Sequence, residues 1–223
     1  MTAPPRRRTK ARDPQGTRRA LKEAATTLFA RRGFAGATAD RIARKAGVNK
    51  AMINYHFGGK RGLYSAIVRE SFGTLLDRLR GAVDEEAAPA DQLRGFIATF
   101  AEMAQGLPDL PAMLLREMMA GGEHRDLDRE VFEFLPQILG TVRGVLEAGI
   151  RDGSFRAVNP LLTHLSMIGG LMFFFATDEF RRRALAEMKH APAPPSAADF
   201  VSHLQDVMTR GIVAERHAAA RKR

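Results

Sequence analysis

The chain has 223 residues, enough for one large or two small domains, and 45% of them are hydrophobic, so a packed core is possible. It has no cysteine, which excludes a disulfide framework and a thiolate metal site and fits a reducing cytoplasm. Residues 1–61 hold 16 of the 35 Lys and Arg residues but only 3 of the 25 Asp and Glu residues. One end of the chain is therefore suited to bind a polyanion, and the rest is not.

Both ends of the chain are basic. Residues 1–16 place five Lys and Arg residues among prolines and small residues, which predicts a disordered arm that contacts phosphates without sequence preference. The alternatives are an arm that enters the minor groove of DNA and a solvated tail. Residues 216–223 are interpreted as a frayed basic tail. No apolar run follows the basic N-terminus, so no signal peptide is expected.

The first helix is predicted from about Thr17 to Arg32, where apolar residues recur at helical spacing: Leu21, Ala25, Leu28 and Phe29. Gly33 and Gly36 interrupt the pattern before the next helix. Phe34 lies between these glycines and is interpreted as a core residue rather than a functional aromatic.

Two short helices are predicted between Thr38 and Phe57, with a turn at Gly47. Thr38 is expected to cap the first of them, because its hydroxyl accepts a free N–H of the opening turn. Gly47 ends that helix because glycine tolerates a positive φ. Asn49 is expected to cap the second helix, and the small residue Ala43 allows the two to cross closely. This layout is a helix-turn-helix, whose second helix enters the major groove of DNA.

Several residues of this segment, at several fixed spacings, resemble the DNA-binding domain of TetR-family transcriptional regulators: Ile42-Ala43, Ala46-Gly47-Val48, Tyr55-His56-Phe57, Lys60 and Leu63. The resemblance covers about residues 17–75. Two positions depart from the family pattern, since Asn54 stands where tyrosine is usual and Ala51 where glycine or proline is common. These departures concern the operator sequence that is read, not the fold.

The resemblance implies a set of contacts with DNA phosphates: Thr38, Tyr55, His56 and Lys60. Three further residues of the recognition helix are candidates for reading bases: Lys50, Ala51 and Asn54. Lysine donates to guanine, asparagine pairs with adenine, and alanine contacts a thymine methyl group. The alternatives are that Lys50 touches only phosphate, that Tyr55 is half-buried packing and that His56 is merely solvated.

Beyond the helix-turn-helix only helices are predicted, which makes the fold class all-α. Lys60 opens a fourth helix to about Val83, and the resemblance implies that this helix connects the DNA-binding domain to a regulatory one. The later helices are expected at about residues 91–105, 112–120, 126–152 with a kink at Pro136, 160–186 and 196–215. Residues 17–75 are therefore assigned to the DNA-binding domain and residues 76–215 to a regulatory and dimerisation domain.

The segment from Leu161 to Ala176 is apolar nearly all round. It is shorter than the about 20 residues that a membrane span needs, so no membrane partner is expected. A helix with two apolar faces needs two partners. The resemblance implies that the last two long helices pair with their copies across a two-fold axis, as a four-helix bundle in a homodimer. The alternative is a core helix within one chain.

Methionine and phenylalanine are frequent in the second half, which suggests a pliable apolar pocket. Its candidate residues are Phe100, Met103, Met113, Met118, Phe132 and Met167. The alternative is that they form plain core. Arg116 and Glu117 are interpreted as a structural ion pair, and His164 as a satisfied core or interface histidine.

No catalytic residue, cofactor or metal site is expected. The chain has no Gly-x-Ser-x-Gly motif, no phosphate-binding glycine loop and no His or Asp cluster with ligand spacing. The sequence predicts a cytoplasmic transcriptional regulator rather than an enzyme. By default it is a homodimeric repressor that binds a palindromic operator in double-stranded DNA and responds to an apolar effector. The alternatives are an activator of the same family and a helical nucleic-acid-binding adaptor without an effector.

Overall fold

The computed structural model describes residues 13–82, 84, 86–119, 125–190 and 192–214, without the side chains of Glu117 and of residues 125–131. Most of the predicted basic arm and all of the tail at residues 216–223 lie outside the described residues. The described residues form ten helices and no named strand: α1 (Pro14–Gly36), α2 (Ala39–Ala46), α3 (Ala51–Phe57), α4 (Lys60–Ala82), α5 (Pro89–Gly106), α6 (Asp109–Met119), α7 (Arg125–Arg151), α8 (Pro160–Ala176), α9 (Asp178–Ala186) and α10 (Ala197–Ile212). The predicted all-α fold class is confirmed.

The first three helices and the start of α4 surround one hydrophobic core, which we call the first core. Its buried side chains come from all four helices: Leu21, Phe29, Ile42, Ile53, Leu63 and Tyr64. Residues of α6 complete it: Leu110, Met113 and Leu114. The second half of the chain therefore closes the core of the first half.

The turn signals predicted around Gly47 are present. The Thr38 hydroxyl accepts a hydrogen bond from the Arg41 N–H (3.3 Å) and caps α2. Gly47 follows α2 with a φ of +67°, in the left-handed region that favours glycine. The Asn49 side chain accepts a hydrogen bond from the Ala51 N–H (2.8 Å), so it satisfies a free donor at the start of α3. These local contacts fix the helix-turn-helix.

α1 begins earlier than predicted, because the Asp13 carboxylate caps it by accepting a hydrogen bond from the Gly16 N–H (2.9 Å). Gly33 has a φ of +67°, so the predicted break is a kink within α1 rather than its end. Beyond the kink, the Phe34 ring stacks on Phe29 with 5.6 Å between the ring centroids. Phe34 therefore packs against the first core, as the sequence indicated.

A second core lies between the later part of α4 and helices α5, α7, α8 and α10. Its most deeply buried side chains are aliphatic, aromatic or methionine: Leu75, Leu79, Leu93, Phe96, Ile97, Val142, Leu146, Met167 and Leu171. α4 contributes to both cores, and α6 packs against α1 as well as α8. These two helices join the part of the chain around the first core to the rest of the molecule.

The single helix predicted from Pro160 to Ala186 is wrong, because the chain turns by 63° between α8 and α9. The Thr177 hydroxyl donates to the Phe173 carbonyl (2.7 Å) at this turn, and Asp178 pairs with Arg181 (2.9 Å). The bend takes the charged residues after Thr177 out of line with the apolar helix α8, because burying charged side chains is costly. In the described part of the chain, no unbroken helix has both the length and the apolar character to cross a membrane, although the bent pair of α8 and α9 meets that test together.

The last helix ends at Ile212 rather than at the predicted Glu215, because the chain there becomes extended. The Arg156 N–H donates to the Ile212 carbonyl (2.8 Å), and the Ala214 N–H donates to the Ser154 carbonyl (2.9 Å). Pro136 lies inside α7, and the kink expected at that residue stays a prediction.

Candidate nucleic-acid interface and adjoining cavity

The outer face of α3 is exposed and polar. Ile53 lies on the opposite face and is fully buried in the first core, which fixes the rotation of the helix. The side chains predicted to read bases all stand in solvent on the outer face or at its start: Lys50, Ala51 and Asn54. Tyr55 is 78% exposed, so the alternative of half-buried packing does not describe this residue.

Lys50 already has a partner. Its ammonium nitrogen lies 3.0 Å from an Asp40 carboxylate oxygen, and both side chains are more than half exposed. The pair connects the first turn of α2 to the start of α3. Exposed ion pairs of this kind contribute about 0–1 kcal/mol, so a phosphate or a guanine can replace the carboxylate at small cost.

Lys60 lies at the start of α4 and points back toward α1. Its ammonium donates to the Phe34 carbonyl (2.8 Å) and lies 4.1 Å from the centroid of the Phe34 ring. Partial burial lowers the pKa of Lys60. An ammonium has three N–H donors, and this carbonyl occupies one of them. Lys60 therefore has a scaffold role even before any phosphate is considered.

Thr38, Tyr55 and His56 surround the same face. The Thr38 oxygen accepts the capping bond of α2, which leaves its own proton to donate. The rings of Tyr55 and His56 meet edge to face with 4.9 Å between centroids. His56 is partly exposed, so its imidazole is accessible from the surface of α3.

Arg18 is a residue of this region that the sequence analysis did not identify. Its guanidinium donates to the carbonyl of His56 (2.8 Å) and lies 4.5 Å from the centroid of the Phe57 ring. Arginine at the end of a helix satisfies a free carbonyl and complements the helix dipole. The contact joins residues 38 positions apart, so helical spacing within α1 gave no sign of it.

A cavity of about 490 Å³ lies between helices α4, α5, α6, α7 and α8. Four of the predicted pocket residues line it: Phe100, Met103, Met118 and Phe132. The other two do not, because packing takes them elsewhere. Met113 is buried in the first core and Met167 is fully buried in the second. Further wall residues come from α4, α6, α7 and α8, among them Tyr64, Phe72, Leu114, Leu135, His164, Ile168 and Phe173.

His164 lines the cavity and is only 3% exposed. Its ring lies edge to face with Phe96, with 6.4 Å between the centroids, and its Nδ1 has no hydrogen-bond partner among the described residues. The burial agrees with the expected core histidine, whereas the expected hydrogen bonding is not seen for Nδ1 within the described part of the chain. Burial lowers the pKa of His164.

Arg116, at the end of α6, connects that helix to α1. Its Nε donates to the Ala30 carbonyl (2.9 Å), and its Cδ is near Gly33, within 3.5 Å of where a Cβ would stand. The predicted ion pair with Glu117 stays a prediction, since the Glu117 side chain lies outside the described residues. The helix that lines the cavity is thus bonded to the helix that carries the DNA-binding half.

Two family models match this sequence. Residues 21–67 match "Bacterial regulatory proteins, tetR family", and residues 89–193 match "Tetracyclin repressor-like, C-terminal domain". The HTH-type transcriptional repressor NicS of Pseudomonas putida is 25% identical over 204 residues, which cover 91% of this chain and 95% of NicS. The HTH-type transcriptional repressor SCO4008 of Streptomyces coelicolor is 35% identical over 158 residues, which cover 70% of this chain and 79% of SCO4008.

A solved structure shares the fold. The ketosteroid transcriptional regulator KstR2 of Mycobacterium tuberculosis superposes with a TM-score of 0.71 at 21% sequence identity. The match covers 89% of this chain and 95% of KstR2. The arrangement of a helix-turn-helix half and a helical second half therefore recurs in a regulator of known structure.

Proposed function

Because the chain belongs to the TetR family of bacterial regulatory proteins and is a DNA-binding transcriptional regulator, we propose that it is a repressor that binds a palindromic operator as a homodimer. An apolar effector in the cavity releases it from DNA. The exposed polar face of α3, which stands on a basic domain while its Ile53 side is buried, carries this proposal. The relatives NicS and SCO4008 are named repressors, which favours repression over activation. Such a regulator acts in the cytoplasm, where bacterial DNA lies.

The recognition helix α3 enters the major groove and reads bases with three side chains: Lys50, Ala51 and Asn54. Asn54 pairs with adenine, and Lys50 leaves Asp40 to bind guanine. The alanine methyl group contacts a thymine methyl group. The departures of Asn54 and Ala51 from the family pattern fall on this face, so the operator sequence differs accordingly.

Phosphates bind around this face, where two helices begin. Thr38 precedes α2 and Lys60 begins α4, and the N-terminus of a helix favours a phosphate. Lys60 keeps one N–H on the Phe34 carbonyl and offers the others to the backbone of DNA. Tyr55 and His56 donate from the edge of α3. Residues 17–75 form the DNA-binding domain and residues 76–215 the regulatory domain, with α4 passing between them.

The homodimer forms through α8 and α10, which leave in solvent three apolar side chains that do not line the cavity: Leu161, Leu162 and Val207. Isolated exposed apolar residues are ordinary, but a cluster of them on adjacent helices marks an interface. One recognition helix covers too few base pairs to locate a site. Two of them held about 34–36 Å apart read two half-sites one helical turn apart.

The cavity communicates with the DNA-binding half through Tyr64. This residue of α4 lines the cavity, and its ring lies 5.4 Å from Phe29 and 5.7 Å from Phe34 between centroids. Phe34 in turn holds Lys60. A molecule that displaces α4 or α6 therefore moves α1 and changes the spacing of the two recognition helices. By linkage, the effector and the operator oppose each other's binding by the same factor.

Selection of bound sequences from a random DNA pool tests the proposal. We expect an enriched inverted repeat, and the purified protein should remain on it in the presence of excess random duplex at fixed salt. A pool without any enriched sequence would instead support the helical adaptor that binds nucleic acid nonspecifically. A reporter gene whose promoter overlaps the selected site then distinguishes a repressor from an activator. A repressor lowers transcription of the reporter, and an activator raises it.

A further inference from the structure

The buried nitrogen of His164 needs a physical explanation. Buried polar groups are normally hydrogen-bonded, and an unsatisfied one destabilises the folded protein. Among the described residues, the Nδ1 of His164 has no hydrogen-bond partner, and the residue is 3% exposed. The residue lines the cavity between α4 and α8. This buried nitrogen therefore belongs to a side chain of the cavity wall, and a polar group of a ligand can supply the missing partner.

The rest of the described wall is apolar. Its side chains are leucine, isoleucine, alanine, methionine, phenylalanine and proline, with a glycine, and the polar exceptions are Tyr64 and His164. None of the described wall residues is Asp, Glu, Lys or Arg. A carboxylate or a phosphate in this cavity would lose its hydration without gaining a counter-ion, which is costly. The cavity therefore disfavours anionic ligands.

The histidine itself is uncharged. Burial lowers the pKa of His164, so its imidazole is neutral near pH 7. A neutral imidazole has one donor nitrogen and one acceptor nitrogen, and either tautomer is available to Nδ1. A hydroxyl group both donates and accepts, so it pairs with Nδ1 in either tautomer.

We propose that the cavity binds an uncharged, mainly apolar alcohol or phenol whose hydroxyl group is hydrogen-bonded to Nδ1 of His164. The volume of about 490 Å³ is within the range of small-molecule sites. The apolar wall holds the hydrocarbon part, and the unsatisfied nitrogen of His164 fixes its orientation. The inference rests on the proposed function only where it treats the alcohol or phenol as the effector. Binding of this molecule to the cavity does not require DNA.

Three probes with one carbon skeleton test the inference: biphenyl, 4-phenylphenol and biphenyl-4-carboxylate. Calorimetric titration of the full-length protein at neutral pH measures their affinities. We expect 4-phenylphenol to bind at least about tenfold more tightly than the carboxylate, because the described wall offers no counter-ion. A carboxylate that binds most tightly, or a wild-type protein that binds none of the probes, would overturn the inference.

Variants at His164 isolate the hydrogen bond. His164→Leu should lower the affinity for 4-phenylphenol about three- to tenfold and change that for biphenyl by less than about twofold. His164→Asn places an amide near the position of Nδ1 and should retain most of the preference for the phenol. Met167→Leu on the same helix does not touch the cavity and is the matched control. An unchanged ratio of phenol to biphenyl affinity in His164→Leu would contradict the assigned bond.

A further variant locates the site. Ile168→Trp adds bulk to the cavity wall from a half-buried position and should abolish binding of all three probes. Binding that persists in this variant would place the site elsewhere and overturn the inference. Circular dichroism and operator binding of the same sample show that the variant is folded.

The inference and the proposed function fail separately. Fluorescence anisotropy with operator DNA, with and without 4-phenylphenol, measures the effector role apart from binding. A phenol that binds through His164 and leaves operator affinity unchanged would support the site and contradict the effector role. Normal operator binding without any preference for the phenol would overturn the site alone.

Discussion

On the outer face of α3 the polar side chains stand in water, whereas Nδ1 of His164 is enclosed beside an apolar cavity and has no partner among the described residues. The exposed pair of Lys50 and Asp40 contributes about 0–1 kcal/mol and is easily exchanged. An unsatisfied buried nitrogen costs about 1–3 kcal/mol. The comparison teaches that the exposed ion pair beside α3 exchanges partners at little cost and weakens with salt, whereas the described wall of the cavity has no counter-ion for a buried charge.

The largest expected effect comes from a variant that breaks the homodimer but leaves the cavity of each subunit intact. Such a variant loses the pair of recognition helices without losing probe binding. Val207→Glu places a charge on the exposed side of α10. We expect loss of the homodimer and a fall of about 100-fold or more in operator affinity, because two linked half-site contacts become one. Sedimentation at micromolar concentration and operator titration give the result.

Leu107→Glu is the control for Val207→Glu. Leu107 is an exposed apolar residue between α5 and α6, and it lines a surface groove together with residues of α1 and α4. It should leave the dimer intact. A dimer of normal stability in Val207→Glu would place the interface elsewhere, and probe binding to the cavity should persist in both variants.

The second prediction concerns the reading of bases. Asn54→Ala removes an exposed amide from α3 and should relax preference at one position in each half-site. The expected cost is about 1–3 kcal/mol for the preferred base, provided that the contact is bidentate. Affinities for operators changed at each position in turn measure it. Preferences that are the same at every position in the variant and the wild type would exclude Asn54 as a reader.

The third prediction concerns phosphate. Lys60→Ala removes the ammonium at the start of α4 and should weaken binding to all sequences alike. The slope of log affinity against log salt should fall by about 1 per subunit. Phe34→Leu removes the ring beneath the ammonium but keeps the backbone carbonyl, so it tests the scaffold role. An unchanged slope in Lys60→Ala would leave the scaffold role as its whole function.

The smallest expected effect concerns the pH dependence of stability. Burial holds the pKa of His164 below its usual 6.5 in the folded state, so below about pH 6.5 the unfolded chain binds a proton that the folded chain does not. The wild type should therefore lose stability as the pH falls, by at most about 1.4 kcal/mol per pH unit from this residue. His164→Leu lacks this loss. Tyr64 is the other titratable residue in the described wall of the cavity.

Denaturant unfolding of both proteins at pH 8.0, 6.5 and 5.5, at one protein concentration, measures the pH effect. The difference between their unfolding free energies should shift in favour of His164→Leu at the lowest pH. Parallel curves would mean that His164 is protonated equally in the folded and unfolded states. That result would contradict its enclosure in the apolar wall.

The helix-turn-helix could be predicted from the sequence because its determinants are local. The cap by Thr38, the hydrogen bond from the Ala51 N–H to the Asn49 side chain and the positive φ of Gly47 depend on residues within a few positions of one another. The turn between α8 and α9 was missed, because a helical pattern does not show where charged residues such as Asp178 and Arg181 leave the core.

The cavity could be predicted only in part, since five separate helices form it. Met113 and Met118 are on the same helix and of the same residue type, yet the first packs in the core beside α1 and the second lines the cavity. Whether a methionine of α6 is packed in the core or lines the cavity depends on which other helix lies against that side of α6. The local sequence does not show this. The unsatisfied nitrogen of His164 was unpredictable for the same reason, because it depends on which described side chains of the surrounding helices reach it.

Three cationic side chains hold the DNA-binding half by bonding to main-chain oxygens. Arg18 donates to the carbonyl of His56, Lys60 to that of Phe34 and Arg116 to that of Ala30. A substitution at the residue that accepts one of these bonds keeps the main-chain carbonyl. The hydrogen bond can therefore form whichever side chain stands there. The imidazole of His56 can be exchanged while Arg18 still holds the end of α3. The phosphate contact proposed for residue 56 is therefore open to redesign, and to evolutionary drift, without loss of the hydrogen bond that holds the end of α3.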